Sequence, residues 1–373
     1  MRDVVVIGAG LAGSGIAAAL AQQGWDVLLI ERDSFPRHKV CGEFLSPEAQ
    51  ASLHALGLYE AVAALDPCPV TNVRLVTQNG AVVEATLPGK AWGLSRYAMD
   101  GALATAAQMH GAELWTNMAV KRYMPEGDGF IVQLRDGAAQ RSVQTRAVIA
   151  ACGRHTQTGL PPKPRALDRR KQAVGVKCHY DQISMPAQVE LFMFPGGYAG
   201  VNAVEGGRIN VCLLAAYDAF AQAGKNVESM IATAAAANPG LAQRLAGGRA
   251  LAETAVAVAP VDTGRPPAPW DGIACVGDTA AMIPPLCGDG MAMALRSAQL
   301  CAPFAHDYLR GTLSLAAWQT QYSTLWHAEF NARLRTGRWL QSLLNRPVAA
   351  ELLVKAGQAM PALATYMVQA TRG

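Results

Sequence analysis

Three glycines near the N-terminus have the spacing that holds a dinucleotide. Gly8, Gly10 and Gly13 form the pattern G-x-G-x-x-G. In such a turn the first glycine permits a tight bend, the second lets the backbone approach a pyrophosphate, and the third allows close helix packing. Glu31 follows at the distance, about 20 residues, of the acid that accepts the hydroxyls of an adenosine ribose. These four residues predict a dinucleotide site and leave FAD and NAD both open.

A strand, a helix and a second strand must position this turn, and the flanking sequence provides them. The apolar run Val4–Ile7 predicts a buried strand, and the alanine-rich run Gly15–Leu20 predicts a helix. Residues Asp26–Ile30 predict a second strand that ends next to Glu31. The N-terminus of the helix would present free N–H groups and the positive end of its dipole to phosphates.

Basic residues and a thiol occupy the loop that follows Glu31. Arg32 begins this loop, residues 37–39 read Arg-His-Lys, and Cys41-Gly42 lies near its end. This composition suits a further phosphate of the cofactor or an anionic group of a substrate, although a solvated loop has the same composition. We expect Cys41 to lie beside the cofactor and to take part in catalysis; a buried cysteine that only packs is the alternative.

A second anion-binding helix start is predicted far along the chain. An apolar strand over residues 271–278 ends in Gly-Asp, and a helix begins at Met291 after two further glycines. Glycines in front of a helix N-terminus favour the binding of an anion. Two such sites predict one long ligand with two polar ends. The residues expected at the second site are Gly277, Asp278, Pro285, Gly288, Asp289, Gly290 and Met291.

Arg96 is a further candidate for contact with the cofactor. It directly precedes a helix predicted over residues 97–110 and stands four residues before Asp100, so both side chains share one helical face. The spacing fits a surface ion pair as well as it fits an arginine that reaches the cofactor.

Alternating apolar residues predict a second domain built on an antiparallel sheet. Val73–Val76 and Val82–Leu87 flank Asn79-Gly80, which is a strong hairpin signal. Four further alternating segments lie between Val174 and Leu214, separated by glycine-rich turns. Their phase predicts one surface that carries three aromatic side chains, either as core or as substrate contacts: Phe192, Phe194 and Tyr198.

Composition excludes several classes of function. The chain has 373 residues, of which 51% are hydrophobic and 16% charged, and its net charge is only +4. A nucleic-acid partner is therefore not indicated, and two domains are expected from the length. The eight cysteines show no C-x-x-C spacing, so we expect no metal site and a reducing, cytoplasmic setting. No run of about 18 apolar residues indicates a membrane span.

These motifs together resemble the FAD-dependent monooxygenase superfamily. Its para-hydroxybenzoate hydroxylase-like fold is shared with geranylgeranyl reductases and flavin-dependent halogenases. The pattern G-D-x-x-x-x-x-x-P-x-x-G-x-G over residues 277–290 matches the family in full and favours FAD over NAD. The resemblance implies that Asp278 holds the ribityl or pyrophosphate part, that amides after Gly288 face the flavin edge, and that Arg96 contacts the cofactor.

Two departures concern the reaction. The family's middle motif carries Asp-Gly where this chain has Cys152-Gly153, so the electron donor stays open between NAD(P)H and a separate reductant. Cys41-Gly42-Glu43 and the Pro195–Tyr198 turn are more similar to geranylgeranyl reductases. The tryptophan-rich signature of the halogenases is absent from the sequence.

The resemblance implies an α/β architecture in three parts. A Rossmann-like FAD-binding domain would comprise residues 1–72, 93–158 and 253–310, and the antiparallel substrate domain residues 73–92 and 159–252. Helices rich in tryptophan and arginine would follow over residues 311–373, either as a cap or in contact with a membrane surface or a carrier protein.

The expected function is an FAD-dependent oxidoreductase. We expect foremost a monooxygenase of secondary metabolism that hydroxylates or epoxidises a small apolar substrate, whether aromatic, polyketide or isoprenoid. A geranylgeranyl reductase-like reductase of carbon–carbon double bonds is the alternative, and a flavin electron carrier or non-catalytic binding protein is the second alternative. The expected catalytic residues are Cys41, Pro285 and Gly288.

Overall fold

The computed structural model describes residues 1–137, 139–154, 159–162 and 172–360, and two β-sheets organise them. The strands are β1 (Arg2–Ile7), β2 (Val27–Ile30), β3 (Phe44–Leu45), β4 (Cys68–Val76), β5 (Val82–Gly93), β6 (Glu113–Trp115), β7 (Ala119–Glu126), β8 (Gly129–Asp136), β9 (Ala139–Ala150), β10 (Ala173–Asp181), β11 (Gln188–Phe194), β12 (Gly197–Val204), β13 (Arg208–Ala216), β14 (Arg249–Val261) and β15 (Ala274–Cys275). The helices are α1 (Leu11–Gln22), α2 (Glu48–Ala55), α3 (Tyr59–Ala63), α4 (Arg96–Met109), α5 (Tyr217–Gln222), α6 (Val227–Ala237), α7 (Pro239–Leu245), α8 (Gly290–Leu309), α9 (Leu315–Leu344) and α10 (Pro347–Ala359).

The first sheet carries the predicted βαβ unit. Its strand order is β6-β2-β1-β9-β8-β7, and β15 pairs with the end of β9. Strands β2, β6 and β15 run parallel to their partners, whereas β7, β8 and β9 form an antiparallel meander. Helices α1, α4 and α8 pack against this sheet. Residues 4–6 of β1 are consequently fully buried, as their continuous run of valine predicts.

The strand predicted over residues 271–278 is much shorter than expected. Only Ala274–Cys275 is a strand, because residues 270 and 274 form an isolated antiparallel bridge before it. Gly277 has φ +62°, which turns the chain into a short 3-10 helix directly afterwards. The Gly-Asp pair therefore lies on a turn that follows the sheet rather than inside the strand.

The second sheet is mixed, which corrects the prediction of a purely antiparallel one. Its order is β14-β10-β13-β12-β11-β4-β5-β3, and β4 pairs with β11 in parallel while the other pairs are antiparallel. Strand β14 continues in this sheet to Val261, across the predicted domain boundary at residue 253. The predicted mixed α/β architecture with two sheets is confirmed, whereas the division into domains stays a prediction.

The predicted aromatic surface is wrong. Phe192 and Phe194 belong to an apolar cluster with Met230, Ile231 and other residues of the helices that cover one face of the second sheet. Tyr198 packs in a different cluster. The reason is the register of the hairpin, in which Tyr198 stands opposite residue 193 and therefore shares its face. The substrate role predicted for the two phenylalanines has no support in this placement.

The C-terminal helices cover the other face of the second sheet. Leu344 and Ala350, from α9 and α10, share an apolar cluster with Tyr198 and Leu286. A Cβ atom on Gly337 would lie only 2.8 Å from Sγ of Cys287, so α9 packs closely on the turn that contains Pro285. The predicted region over residues 311–373 is described as far as residue 360. In the part of the chain described, no helix combines the length and apolar character needed to cross a membrane.

Candidate functional site

A cavity of about 430 Å³ lies where the first sheet meets the second. This volume falls in the range of roughly 300–1,000 Å³ that ligand pockets have. Most of the residues that the sequence predicts at the site line this cavity: Gly8, Gly10, Glu31, Arg32, Cys41, Gly42, Arg96, Gly277, Asp278, Pro285, Gly288, Gly290 and Met291. Predicted site residues outside its lining are Gly13, Asp289, Phe192, Phe194 and Tyr198.

The glycine turn shows the steric features that a pyrophosphate requires. Gly8 has φ +100°, and a Cβ atom there would lie 2.4 Å from the carbonyl oxygen of Ala151. A Cβ atom on Gly13 would lie 1.7 Å from the carbonyl oxygen of Gly8, so this glycine allows α1 to pack on the turn. A Cβ atom on Gly10 would meet only the ends of two side chains, both at 3.7 Å. The second glycine thus faces open space at the N-terminus of α1, and the turn fits a dinucleotide.

Three hydrogen-bond donors hold the Glu31 carboxylate next to the glycine turn. Its Oε2 accepts a hydrogen bond from the backbone N–H of Ala9 at 2.9 Å and another from Nη2 of Arg37 at 2.9 Å. Its Oε1 accepts the backbone N–H of Asp33 at 3.2 Å. Carboxylate oxygens have further lone pairs, so this fixed group can still accept ribose hydroxyls.

Arg96 is placed over the glycine turn by a buried acid. Its guanidinium binds Asp100, which is fully buried, and Lys39 Nζ lies 3.4 Å from the same carboxylate. Burial would lower the pKa of Arg96, but the charge of Asp100 and hydrogen bonds to Asp100 and Cys41 outweigh it and raise this pKa. Nη2 of Arg96 and Nζ of Lys39 are the two atoms 3.7 Å from the Cβ position on Gly10. The ion pair of Arg96 and Asp100 is therefore not at the surface, and Lys39 of the predicted basic loop lies beside it.

The second predicted motif lies on the opposite wall. Burial raises the pKa of Asp278, against the opposing charges of Arg154 and Arg96. Gly288 has φ +68°, and α8 begins two residues later with its N-terminus at the cavity. Asp289 is the exception among the predicted residues, because its carboxylate accepts hydrogen bonds from Ser46 at 2.9 Å and Arg333 at 3.4 Å.

The loop that carries Cys41 forms the third wall. Asn210, on β13, donates from Nδ2 to the carbonyl oxygens of Cys41 at 3.2 Å and Gly42 at 2.9 Å. The backbone N–H of Glu43 points to Sγ of Cys41 at 3.4 Å. The thiol is half-buried, and the second sheet fixes the position of its loop.

Sequence reasoning missed a buried charged cluster behind this loop. The Glu43 carboxylate accepts hydrogen bonds from Nζ of Lys177, from Nε2 of His179 at 2.6 Å and from the backbone N–H of Arg96 at 2.8 Å. The three side chains of residues 43, 177 and 179 have no exposed surface. The available signal was the strand itself, since Lys177 and His179 alternate with apolar residues and so share one face of β10.

Comparison with known proteins decides which dinucleotide this site serves. A family model described as FAD binding domain matches residues 1–165. The chain is an FAD-dependent oxidoreductase. The predicted resemblance is confirmed, because the relatives of this chain include both reductases and a monooxygenase.

Relatives of this flavoprotein differ in how much of the chain they match. Digeranylgeranylglycerophospholipid reductase 2 of Methanopyrus kandleri is 26% identical over 347 residues, covering 88% of this chain and 83% of the relative. Menaquinone reductase of Mycobacterium tuberculosis is 39% identical over 117 residues, covering 30% of this chain and 28% of the relative. Squalene monooxygenase of Eremothecium gossypii is 33% identical over 89 residues, covering 24% of this chain and 18% of the relative.

Solved structures share the fold of this flavoprotein at low sequence identity. A flavin-dependent brominase superposes with a TM-score of 0.81 at 18% identity, covering 99% of this chain and 93% of that one. A geranylgeranyl bacteriochlorophyll reductase-like protein from Thermoplasma acidophilum has a TM-score of 0.77 at 21% identity, covering 95% of this chain and 90% of that one. At these identities the likeness concerns the fold alone.

Proposed function

We propose that this flavoprotein reduces a carbon–carbon double bond of an apolar, prenylated lipid. The observation that carries the proposal is the Cys41 thiol, half-buried on a wall of the cavity in a loop that Asn210 holds from the second sheet. Addition of hydride at one carbon of a double bond requires a proton at the other carbon. A thiol held beside the reacting carbons is a suitable donor of that proton.

FAD would lie along the cavity between the two helix N-termini. The pyrophosphate would contact the turn at Gly10 and the cations of Arg96 and Lys39, and the ribose would contact Glu31. The reacting end would lie between the Cys41 loop and the turn at Gly288. The residues we assign to the cofactor are Gly8, Gly10, Glu31, Arg32, Lys39, Cys41, Gly42, Arg96, Gly277, Asp278, Pro285, Gly288, Gly290 and Met291.

Bound FAD would supply the hydride, and the groups of this chain would supply orientation and the proton. Backbone N–H groups at the start of α8 would stabilise negative charge at the reacting end of the cofactor. The apolar wall near Pro285, which includes Met282 and Ile283, keeps water away from the substrate. Cys41 gives its proton to the carbon that does not take the hydride, and it is reprotonated from solvent. We propose NAD(P)H or a separate reductant as the electron source.

The Methanopyrus relative supports this choice over oxygen chemistry. Its name states that it reduces a digeranylgeranylglycerophospholipid, and its alignment covers 88% of this chain. The squalene monooxygenase aligns with only 24% of this chain.

A monooxygenase is the second candidate, and one local feature favours it. Ala281 lies shortly after the Gly-Asp pair, and its small side chain is buried next to Met282 and Ile283. Small apolar side chains near Pro285 give a dry space in which oxygen transfer is protected from water. This candidate uses the same cofactor site but requires dioxygen.

One experiment separates the two candidates. The FAD-loaded protein is reduced with dithionite without oxygen and mixed with digeranylgeranylglycerophospholipid, and the lipid is analysed by mass spectrometry. We expect a product heavier by two hydrogens, formed without oxygen and lost in Cys41→Ser. The same mixture is then exposed to ¹⁸O-labelled dioxygen. An ¹⁸O-labelled product, with no saturated product under anaerobic conditions, would show that the protein is a monooxygenase and not a reductase.

A further inference from the structure

The buried cluster of Glu43, Lys177 and His179 joins the cavity to the second sheet. Glu43 lies in the cavity-lining loop, and its carboxylate binds both basic side chains of β10. Burial would raise the pKa of Glu43, but the hydrogen bond from His179 and the charge of Lys177 outweigh it and hold this pKa below its ordinary value. One carboxylate and one ammonium compensate each other, so the cluster is electrically neutral when His179 is neutral.

His179 has an unused proton-binding atom at this position. When Nε2–H donates to Glu43, the lone pair of Nδ1 is free to accept a proton. Among the described residues Nδ1 has no hydrogen-bond partner although it is buried, and the same holds for Oδ1 of Asn210. His179 and Asn210 stand directly opposite each other on β10 and β13, so their side chains share one face of the sheet. Nδ1 of His179 is therefore a buried proton acceptor that no described residue occupies.

His38 connects this cluster to the surface. Its ring centroid lies 5.5 Å from that of His179, edge to face, and 4.5 Å from that of Tyr97, on which it is stacked. Tyr97 is 37% exposed, whereas His179 has no exposed surface. Nδ1 of His38 is also buried without a partner in the described part of the chain. His38 therefore lies between solvent and the buried imidazole.

The charges around His38 keep it in the form that can relay a proton. Burial, together with the positive charge of Lys177, lowers the pKa of His38 to about 4. Glu43 opposes this shift, and Arg208 adds to it. At neutral pH the imidazole is uncharged, with one nitrogen that donates and one that accepts. Such a ring passes protons on without retaining one.

We propose that His38, His179 and Glu43 form a proton path from solvent to the cavity. The purpose assigned to this path rests on the proposed function, because double-bond reduction removes one proton from the cavity in each turnover. The proton that Cys41 gives to the substrate carbon is replaced through Glu43, then His179, then His38, and finally from water. His38 and His179 are positioning and relay residues, since neither lines the cavity.

Hydrogen exchange tests the path without any substrate. In FAD-loaded protein with ¹⁵N-labelled histidine, the exchange of the buried Nε2–H of His179 with solvent is measured by NMR. His38→Phe keeps the stacking on Tyr97 but cannot carry a proton, so we expect exchange at least ten-fold slower. His54→Phe is the matched control, because His54 is exposed and stacked on Tyr59 at 3.7 Å between ring centroids. Equal exchange rates in His38→Phe and the unmodified protein would overturn the path.

Chemical rescue tests whether the proton path operates during turnover. With the lipid that the reductase assay identifies, His38→Ala should lower kcat ten-fold or more at constant KM, and added imidazole should restore it. His38→Gln serves if the alanine variant does not fold. No rescue by imidazole would overturn the role in turnover. If no lipid is reduced by the unmodified protein, the proposed function fails, and the exchange measurement still decides whether the path exists.

Discussion

Arg96 and Asp100 form a two-point ion pair directly above the glycine turn. Nε of Arg96 lies 2.6 Å from Oδ1 of Asp100, and Nη2 lies 2.9 Å from Oδ2. Asp100 is fully buried, while Nη2 of Arg96 reaches within 3.7 Å of the Cβ position on Gly10. The carboxylate therefore fixes the guanidinium at the place where phosphate would arrive, and a lysine could not reproduce this planar geometry.

Asp100→Asn should weaken both the fold and the binding of FAD. Removing one partner of a buried pair leaves Arg96 without compensation, at a cost of about 3–5 kcal/mol in the free energy of unfolding. We expect this loss in urea denaturation and a weaker Kd for FAD in fluorescence titration. Asp181→Asn is the control, because Asp181 pairs with Arg249 at the surface, and it should change neither quantity. An unchanged FAD Kd in Asp100→Asn would contradict the placement of Arg96 at the cofactor.

The glycine turn allows a contrast between two substitutions three residues apart. In Gly10→Val the new side chain points into open space, so the apoprotein should fold with an unchanged Tm while FAD content falls below about a tenth. In Gly13→Ala the Cβ atom would stand 1.7 Å from the carbonyl oxygen of Gly8, so the apoprotein itself should lose about 1–3 kcal/mol. Calorimetry of the apoproteins and flavin absorbance check both. Full FAD content in Gly10→Val would show that this turn does not bind the cofactor.

Cys41→Ser should affect turnover and leave stability unchanged. The thiol is half-buried and lines the cavity, so its loss should lower kcat about 100-fold, as removal of a proton donor does. The matched control is Cys301→Ser. The thiol of Cys301, on α8, is buried in the hydrophobic core, so this substitution should lower only the Tm. Steady-state kinetics and calorimetry on both variants distinguish the two roles. A lowered Tm with a normal kcat in Cys41→Ser would contradict the catalytic role and show that Cys41 only packs.

The sequence predicts the dinucleotide turn because the residues that form it lie close together in the chain. The strand before Gly8, the helix after Gly10 and the acid at Glu31 are local features with known periods. The cluster of Glu43 and His179 joins positions more than a hundred residues apart, and only the pairing of loop and sheet brings them together. Asp289 was assigned by its place in a motif, yet its contact with Ser46 depends on how α8 packs.

His38 should make the protein less stable in mild acid. Its pKa is lowered to about 4 in the folded state, whereas an unfolded histidine titrates near 6.5. Between these values the unfolded state binds more protons, so stability falls as the pH decreases from 6.5 to 4 and this contribution is constant below 4. Urea denaturation at pH 7 and pH 5 should show a smaller loss in His38→Gln than in the unmodified protein. His54→Gln should keep the full loss; equal losses in all three proteins would contradict the shift.

Substitutions of Phe192 and Tyr198 should have different effects on stability and on KM, because the two side chains lie on opposite faces of the second sheet. Phe192 is fully buried under the covering helices, so Phe192→Ala should cost about 3–5 kcal/mol in the free energy of unfolding. The enzyme that remains folded should have an unchanged KM. Tyr198 packs on Leu286, next to the cavity-lining Pro285, so Tyr198→Ala should raise KM for an apolar substrate several-fold. Steady-state kinetics beside urea denaturation measures both quantities. A raised KM in Phe192→Ala, with none in Tyr198→Ala, would place the substrate on the other face of the sheet.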